Sequence, residues 1–398
     1  MTPMDRRRFF QIFSGVAVAA LPGVRKVLAA PRRVGVVGGG IIGASIAYHL
    51  ARRGAEVILF EKTKPASGAT ANSFAWINAT FSKKPHHYFH LNQLGALGYR
   101  HLERELGGDL QVQWGGSLEW YHEAERARWL RQEVASHQRW GYPTRLVEFE
   151  EFKKLEKNVE PGDVAAASWS EEEGSLDPVR TAEVLVDHAA RQGARVIFPC
   201  EVTAIDQKWG RLTGVRTTAG DFELDVVVVA AGVDTAKLGA MVGIEVPLVE
   251  SPGVLAHTKP AERLVDRVVL SPGAHMKQKL DGRLVAGMGF GAAPSSSSRL
   301  AAEEEGQKVL EAGRKYLPGL AKLSLEKVTL GFRPLPKDGY PLIGFPDGAP
   351  GVYLAVMHSG VTLCPIVSRL AALEILDGVE VELLASYRHS RFDSKRSS

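Results

Sequence analysis

Three glycines stand between an apolar run and a helical pattern near the start of the chain. Gly38, Gly40 and Gly43 give the spacing GxGxxG within the segment VGVVGGGIIG. In this spacing the first glycine permits a tight turn, the second lets the backbone approach a pyrophosphate, and the third lets the helix pack closely on the sheet. The helix N-terminus then faces the phosphates. The segment predicts a dinucleotide site, and a glycine-rich turn without a ligand is the alternative.

A carboxylate follows at the place where a ribose would lie. Glu61 closes the second apolar run, AEVILFE, and comes 18 positions after Gly43. A carboxylate at the end of the second strand can accept hydrogen bonds from ribose hydroxyls. NAD and FAD both present such a ribose, so the motif leaves the choice between them open. The later stretch GMGFGA, residues 287–292, has a different spacing and no helical pattern after it.

The sequence offers little for metal or disulfide chemistry. Its two cysteines, Cys200 and Cys364, lie far apart, and no CxxC or Cys/His cluster accompanies them. We therefore expect no metal site and interpret both cysteines as small buried residues. A disulfide is the alternative in an oxidising compartment.

The elements that must position the glycine motif alternate between strand and helix. RVGVVG precedes the glycines, the helical pattern IIGASIAYHLARRG follows them, and AEVILFE gives a second strand. Asp177 and Pro178 mark the start of a later helix, at the N-cap and first helical positions. The fully apolar run DVVVVAAG, residues 225–232, predicts another buried strand. This order predicts an α/β fold with a parallel sheet.

Composition and charge narrow the class of protein. The chain has 398 residues, of which 45% are hydrophobic and 24% charged, and this length suits two subdomains rather than one simple layer. Residues 1–33 carry a formal charge of +6. Because the whole chain carries +4, the remaining residues carry −2. Because the body has no basic tract, we expect no nucleic-acid partner.

The basic N-terminal segment has its basic, apolar and small residues in the order typical of an export signal. MDRRRFF precedes the apolar run FFQIFSGVAVAALPGV, and the small residues VLAA follow. Residues 1–30 are thus predicted to be a twin-arginine signal, and the mature chain to be periplasmic or exported. That route carries folded proteins with their cofactor. The apolar run is too short for a stable membrane span. A positively charged N-terminal helix is the alternative.

Four further segments resemble the D-amino-acid oxidase family, which includes glycine oxidase, sarcosine oxidase and D-amino-acid dehydrogenase. They are ASGATANS (66–73), GSLDPVRTAEVLVDHAARQGARV (174–196), DVVVVAAG, and FRPLPKDGYPLIG together with HSGVTLCP. The resemblance spans about 33–380. It implies a Rossmann-like FAD-binding domain with an interleaved α+β substrate domain built on an antiparallel sheet.

The resemblance also implies how the chain is divided. The FAD-binding domain would take residues 31–85, 170–245 and 331–385, and the substrate domain 86–169 and 246–330. Residues 386–398 would form a charged tail.

The resemblance implies non-covalent FAD. Some relatives attach the flavin through a histidine, near whose place Asn72 stands here, and others through a cysteine in a pattern that Cys364 does not match. The helix expected from Pro365 would direct its positive end at the flavin. The residues implied to contact FAD are Gly38, Gly40, Ile41, Ile42, Gly43, Glu61, Lys62, Gly68, Ala69, Thr70, Val202, Ala231, Gly232, Ser359, Gly360, Val361 and Thr362.

Two residues are implied to meet the substrate. Arg333 matches the family's arginine for the substrate carboxylate, which a guanidinium fork can hold by two parallel hydrogen bonds. An ion pair with Asp338 is the alternative. His358 precedes the last glycine turn and either faces the substrate or serves as a structural hydrogen-bonding group. Trp76 either walls the pocket or belongs to the core.

The implied function is an FAD-dependent oxidoreductase. It would take a hydride from the α-carbon of an amino acid or N-substituted amino acid, of the D-amino acid, glycine or sarcosine type. The segment GRLVAGMG lacks the lysine that helps oxygen react in the sarcosine-oxidase branch. This favours a dehydrogenase, with the acceptor left open between oxygen and a respiratory carrier. The alternatives are an NAD-dependent dehydrogenase and a non-catalytic flavin-binding electron-transfer protein.

Overall fold

The computed structural model describes residues 32–81, 83–288 and 299–392. The predicted export signal lies outside the described residues, as does most of the stretch GMGFGA. The helices are α1 (Ile41–Arg52), α2 (His86–Glu105), α3 (Ala124–Arg139), α4 (Phe149–Leu155), α5 (Pro178–Arg191), α6 (Thr235–Ala240), α7 (Arg299–Arg314) and α8 (Gly360–Asp377).

Twenty-two strands, several of them only two residues long, occur in the described residues. They are β1 (Arg33–Val37), β2 (Glu56–Phe60), β3 (Trp76–Ile77), β4 (Gln113–Trp114), β5 (Ser117–Tyr121), β6 (Thr144–Leu146), β7 (Ala166–Ser170), β8 (Gly174–Ser175), β9 (Arg195–Ile197), β10 (Val202–Lys208), β11 (Arg211–Thr217), β12 (Gly220–Glu223), β13 (Val226–Val229), β14 (Leu248–Val249), β15 (Pro252–Thr258), β16 (Val268–Ser271), β17 (Ala274–Gln278), β18 (Leu284–Gly287), β19 (Leu325–Phe332), β20 (Leu335–Pro336), β21 (Leu342–Gly344) and β22 (Val352–Val356).

The glycine motif follows the central strand of a six-stranded sheet. The strand order is β21-β22-β13-β1-β2-β9, and β21 runs antiparallel to its neighbour while the other neighbouring strands pair in parallel. Helices α1, α2, α5 and α8 supply the core on one face, and the meander β10–β12 covers the other. Burial on both faces explains why β1 and β13 are unbroken apolar runs. The predicted α/β class is confirmed.

A second sheet of eight strands carries the predicted antiparallel architecture. Its order is β19-β15-β18-β17-β16-β5-β7-β6, with β5 and β16 as its parallel pair. Helix α7 packs on one face, where Met276 and Leu310 are buried. Residues on the other face, such as Leu255 and His275, line the cavity described below.

Two glycines let α2 lie directly against α8. A Cβ on Gly95 would come 2.3 Å from the carbonyl oxygen of Thr362, and one on Gly98 would come 2.9 Å from Cβ of Pro365. The buried face of α2 therefore belongs to the core beneath the parallel sheet, although residues 86–169 are assigned by sequence to the substrate domain. The division of the chain into domains stays a prediction.

Other expectations can be compared directly with the structure. Asp177 caps α5 by accepting from the amides of Val179 and Arg180. Both cysteines are free and buried. Residues 386–392, which the sequence places in a charged tail, pack on the body, because Arg388 pairs with the buried carboxylate of Glu374. Among the described residues there is no helix that is both long and apolar enough to span a membrane.

Candidate active site

One elongated cavity of about 450 Å³ collects the residues that the sequence predicts to meet FAD and substrate. It opens at the carboxyl ends of the parallel strands, which is where ligands bind in α/β sheets. Every predicted site residue lines this cavity except Gly43. Their roles in binding and catalysis stay predictions, and their positions are described below.

The glycine turn has the geometry that the motif predicts. Gly38 has a φ of +106°, and a Cβ there would come 2.5 Å from the carbonyl oxygen of Ala230. Gly43 faces the turn rather than the cavity, since its Cβ would lie 2.0 Å from the carbonyl oxygen of Gly38. The third glycine therefore brings α1 onto the turn, and Gly40, Ile41 and Ile42 present the helix N-terminus to the cavity.

Glu61 is buried beside that turn. Its Oε2 accepts from the amide of Gly39 at 2.7 Å, and its Oε1 accepts from the amide and hydroxyl of Thr63 at 2.9 and 3.1 Å. A carboxylate has about four acceptor positions. These three bonds fix the carboxylate and leave capacity on Oε2 for a ribose hydroxyl in the cavity.

The small-residue loop contributes a direct tie to the first helix. Gly68, Ala69 and Thr70 line the cavity, and the Thr70 hydroxyl accepts from the amide of Ile41 at 3.0 Å. The loop therefore caps an N–H group of α1 that has no helical partner. Asn72 also lines the cavity, and its side-chain amide donates to the carbonyl of Gly68 at 3.1 Å.

The opposite end of the cavity is charged and polar. Val202, Ala231 and Gly232 lie there, as predicted for the adenine side. Lys62 pairs with Asp234 at 2.5 Å across this end. Among the residues that the structure describes, three carboxylates line the cavity: Glu61, Glu201 and Asp234. Glu201 pairs with Lys237, and Asp234 pairs with Lys62.

The last helix begins five residues earlier than the sequence suggests. We expected it from Pro365, but α8 begins at Gly360, after Ser359 in the left-handed region with a φ of +61°. Pro365 lies inside this helix. Because proline has no N–H group, the carbonyl of Val361 is left without its helical partner. The hydroxyl of Tyr99 donates to that carbonyl at 2.6 Å. Val361 and Thr362 therefore belong to the first turn, whose positive end faces the cavity.

Arg333 and His358 lie at the end of the cavity away from the adenine side. The Arg333 guanidinium lies against Gly253, where a Cβ would come 2.4 Å from Nη2, and its Nη1 donates to the carbonyl of Pro252 at 2.6 Å. Asp338 pairs with Arg391. Burial lowers the pKa of Arg333.

His358 is held uncharged at neutral pH. Burial, and then the positive charges of Lys83 and Arg333, lower the pKa of its imidazole to about 3. Its Nδ1 lies 3.1 Å from the hydroxyl oxygen of Ser359. Both ideas for this residue therefore fit its position, since it faces the cavity and makes a structural hydrogen bond.

Sequence reasoning missed Lys83. The side chain is 6% exposed, lines the cavity, and donates from Nζ to the hydroxyl of Ser359. The hydroxyl of Tyr88 also donates to Ser359, at 3.1 Å. The available signal for this residue was the pair Lys83-Lys84, which follows the small-residue loop. Two adjacent lysines are usually both exposed to solvent, as Lys84 is here.

An aromatic wall of Phe74, Trp76, Phe81 and His275 was also missed, apart from Trp76. All four line the cavity, and neighbouring ring centroids lie 5.4–6.5 Å apart. Burial lowers the pKa of His275 to about 4, so the wall carries no charge at neutral pH. Such a wall excludes water from this end of the cavity.

A buried carboxylate behind the wall fixes the loop that carries it. Glu173 accepts from Trp76 Nε1 at 2.9 Å, from the amides of Ala79 and Thr80 at 2.9 and 3.1 Å, and from the hydroxyls of Thr80 and Ser117 at 2.8 and 2.6 Å. Thr362 adds a second tie, accepting from the amide of Asn78 and donating to the carbonyl of Trp76. Residues 76–80 are thereby joined to the eight-stranded sheet, through Ser117, and to α8.

Lys277 holds the other end of this loop. It lies fully buried on β17, and Nζ donates to the carbonyls of Leu176 at 2.7 Å and Ala75 at 3.2 Å. Burial lowers the pKa of Lys277 to about 7. Ala75 is itself in the left-handed region with a φ of +55°, so the lysine holds a strained residue between two of the wall aromatics.

These residues fit an extended dinucleotide. The glycine turn leaves no room for side chains, an open helix N-terminus lies beside it, and a fixed carboxylate lies one strand away. A second helix N-terminus, that of α8, faces the same cavity and could stabilise negative charge on a reduced flavin ring. Within the described residues no group of three metal-ligating side chains comes together.

The fold and the site define a dinucleotide-binding protein of the oxidoreductase class, in which one cavity joins the glycine turn to an aromatic wall. The chain belongs to the D-amino-acid oxidase (DAO) family, described as FAD dependent oxidoreductase, which it matches over residues 33–373. This membership settles the choice that the glycine motif left open: the dinucleotide is FAD, and the NAD-dependent alternative is wrong.

Individual relatives match along nearly the whole chain. The chain is 25% identical to glycine oxidase of Bacillus licheniformis, over 89% of this chain and 96% of that protein. It is 25% identical to one component of the opine oxidase of Agrobacterium tumefaciens (strain Ach5), over 91% of this chain and 98% of that component. The crystal structure of L-proline dehydrogenase from P. horikoshii superposes with a TM-score of 0.81 at 23% identity, covering 91% of this chain and 98% of that one. The last similarity concerns the fold.

Proposed function

We propose that the protein oxidises the Cα–N bond of an amino acid or N-substituted amino acid, with FAD bound non-covalently. The observation that carries the proposal is one cavity that joins the glycine turn to Arg333. The relatives named as a glycine oxidase and as a component of an opine oxidase support it. Bound FAD would supply the two-electron acceptor for the hydride.

The chain's own residues would act by binding and orientation. Arg333 presents a guanidinium that can hold the substrate carboxylate by two parallel hydrogen bonds. The aromatic wall of Phe74, Trp76, Phe81 and His275 excludes water and limits how the remainder of the substrate lies. His358 is uncharged at neutral pH and so does not repel an ammonium or amine.

The reaction can be written without a general base from the chain. A neutral amine loses a hydride from Cα and becomes an iminium ion, which water hydrolyses to an oxo acid and an amine. Since the substrate amine must be neutral, the ammonium proton is released to solvent water before the hydride is transferred. No obligatory general base is assigned to the chain.

Anaerobic flavin reduction tests this proposal. Purified protein should show flavin absorbance, release FAD on acid precipitation, and bleach when a suitable glycine, sarcosine or D-amino acid derivative is added without oxygen. A panel of L-amino acids and of simple amines without a carboxylate serves as the comparison. Flavin that dithionite reduces but that no glycine, sarcosine or D-amino acid derivative bleaches would contradict the proposal and favour a flavin-binding electron-transfer protein.

Two further parts of the proposal concern acceptor and location. The missing lysine in GRLVAGMG supports a dehydrogenase, for which reoxidation by a quinone or dye should be faster than by oxygen. The order of residues 1–30 supports export by the twin-arginine route. Replacing Arg6 and Arg7 by lysine should retain the flavoprotein in the cytoplasm, and unchanged export would contradict that part.

A further inference from the structure

The charges that line the cavity are divided between its two ends. Within the described part of the chain, its three carboxylates are Glu61, Glu201 and Asp234. Glu61 is bonded at the glycine turn, while Glu201 and Asp234 pair with lysines on the adenine side. None of these carboxylates pairs with Lys83, which lines the substrate end.

Lys83 is a buried cation without a carboxylate partner among the described residues. The side chain is 6% exposed, and its Nζ donates to the hydroxyl of Ser359, which Tyr88 also contacts. The ring of Tyr88 lies 5.4 Å from the same ammonium. These neutral groups solvate the charge only in part, so burial of an ammonium here is costly unless an anion joins it.

The start of α8 does not itself favour a cation beside it. Ser359 directly precedes α8, and a helix N-terminus disfavours a neighbouring positive charge. Lys84, one residue on, shows the ordinary arrangement, since its ammonium pairs with the carboxylate of Glu133. Lys83 thus differs from its neighbour in facing a cavity rather than an acidic side chain.

Lys83 and Arg333 come from two separate loops and line the same cavity. His358 lines it as well, and both positive charges lower the pKa of His358, which is uncharged at neutral pH. The neutral aromatic wall lines the same cavity. A ligand with two negative groups joined by an apolar or amine-bearing spacer would complement both cations and this wall.

We propose that the substrate of this site is an amine with two carboxylates, one held by Arg333 and the second by Lys83. The class comprises secondary amines that bear two carboxylalkyl groups and amino acids with an acidic side chain. The inference rests on the proposed function for the position of Arg333 at the substrate carboxylate. It adds the second anionic group and the residue that selects it.

Ligands that cannot be oxidised test the inference separately from turnover. Oxydiacetate is an ether with two carboxylates, and methoxyacetate is its counterpart with one. Their dissociation constants are measured from the change in flavin absorbance on titration of the holoprotein. Wild type is compared with Lys83→Met, with the charge-conserving Lys83→Arg, and with Lys322→Met, which removes an exposed lysine elsewhere.

We expect wild type and Lys322→Met to bind oxydiacetate about 10-fold or more tightly than methoxyacetate, since a charge-assisted hydrogen bond has that effect. Lys83→Met should reduce the preference to within about threefold by weakening only oxydiacetate. Lys83→Arg should retain it. FAD content and thermal unfolding of each variant show whether it is folded.

Three results would overturn the inference: equal binding of both ligands by wild type, an unchanged ratio in Lys83→Met, or an equal loss of both ligands in that variant. An equal loss of both ligands would indicate that the ammonium of Lys83 supports the bound FAD rather than a second carboxylate of the substrate. In each case anaerobic reduction by a monocarboxylate amine would leave the proposed function standing. If no amine reduces the flavin, iminodiacetate and aspartate included, the proposed function itself fails.

Discussion

The hydroxyl of Tyr99 on α2 donates to the carbonyl of Val361 on α8 at 2.6 Å. This carbonyl would accept the amide of residue 365 in an uninterrupted helix, but residue 365 is proline. Tyr99 is fully buried, and Gly95 and Gly98 on the same helix let it approach. One side chain therefore satisfies the backbone group that allows α8 to begin at the cavity.

Tyr99→Phe should destabilise the protein by about 1–3 kcal/mol, because it leaves a buried carbonyl without a partner. Tyr142→Phe is a matched control, since the hydroxyl of this equally buried tyrosine has no hydrogen-bond partner among the described residues. Urea unfolding of both variants measures the difference. Equal unfolding midpoints would contradict the role assigned to Tyr99.

Gly43→Ala should disrupt the glycine turn, since the new Cβ would lie 2.0 Å from the carbonyl oxygen of Gly38. We expect loss of bound FAD and lower thermal stability. Gly68→Ala is the control for folding, because its Cβ would meet no atom within 4 Å in the structure. If Gly43→Ala purified with stoichiometric FAD, the close packing of α1 on the turn would not be needed for binding.

Arg333→Met should weaken substrate binding by about 10- to 100-fold while FAD content stays at the wild-type level, as expected for the loss of a charge-assisted pair of hydrogen bonds. The measurement is the concentration dependence of anaerobic flavin reduction. Arg216→Met, which removes an arginine from the exposed meander of β10–β12, is the control. Unchanged reduction kinetics in Arg333→Met would remove this residue from the substrate site.

Lys277 should make stability depend on pH above neutrality. Burial holds its pKa at about 7, below its usual value of 10.5. Between these values the unfolded chain binds more protons than the native protein, so stability rises with pH; below pH 7 both states are protonated and this dependence vanishes. Relative to Lys277→Met, wild type should gain stability above pH 7, with a slope that does not exceed about 1.4 kcal/mol per pH unit.

Urea unfolding from pH 6 to pH 10 measures that difference. Lys322→Met, at an exposed position, should give a curve parallel to that of wild type. Parallel curves for wild type and Lys277→Met across pH 7–10 would show that Lys277 is not held with a lowered pKa.

The sequence by itself determined the parts of this protein that depend on neighbours in the chain. GxGxxG, Glu61 and the Asp177-Pro178 helix start each act within a strand, a turn or a helix end, so their types and spacing suffice. The order of these units predicted an α/β fold with a parallel sheet, and the family resemblance implied the antiparallel second sheet. Local signals did not find the start of α8, because Pro365 favours a later start unless a distant tyrosine satisfies the carbonyl of Val361.

Only the tertiary structure decided what surrounds the substrate end. Lys83 meets Ser359 across 276 positions, Lys277 meets Ala75 across 202, and Glu173 meets Trp76 across 97. Each contact pairs a charged side chain with polar groups that no local pattern brings near it. Burial keeps His358 and His275 uncharged at neutral pH. Lys83 and Arg333 line the same cavity. A charge in a sequence has no such environment until the chain folds around it.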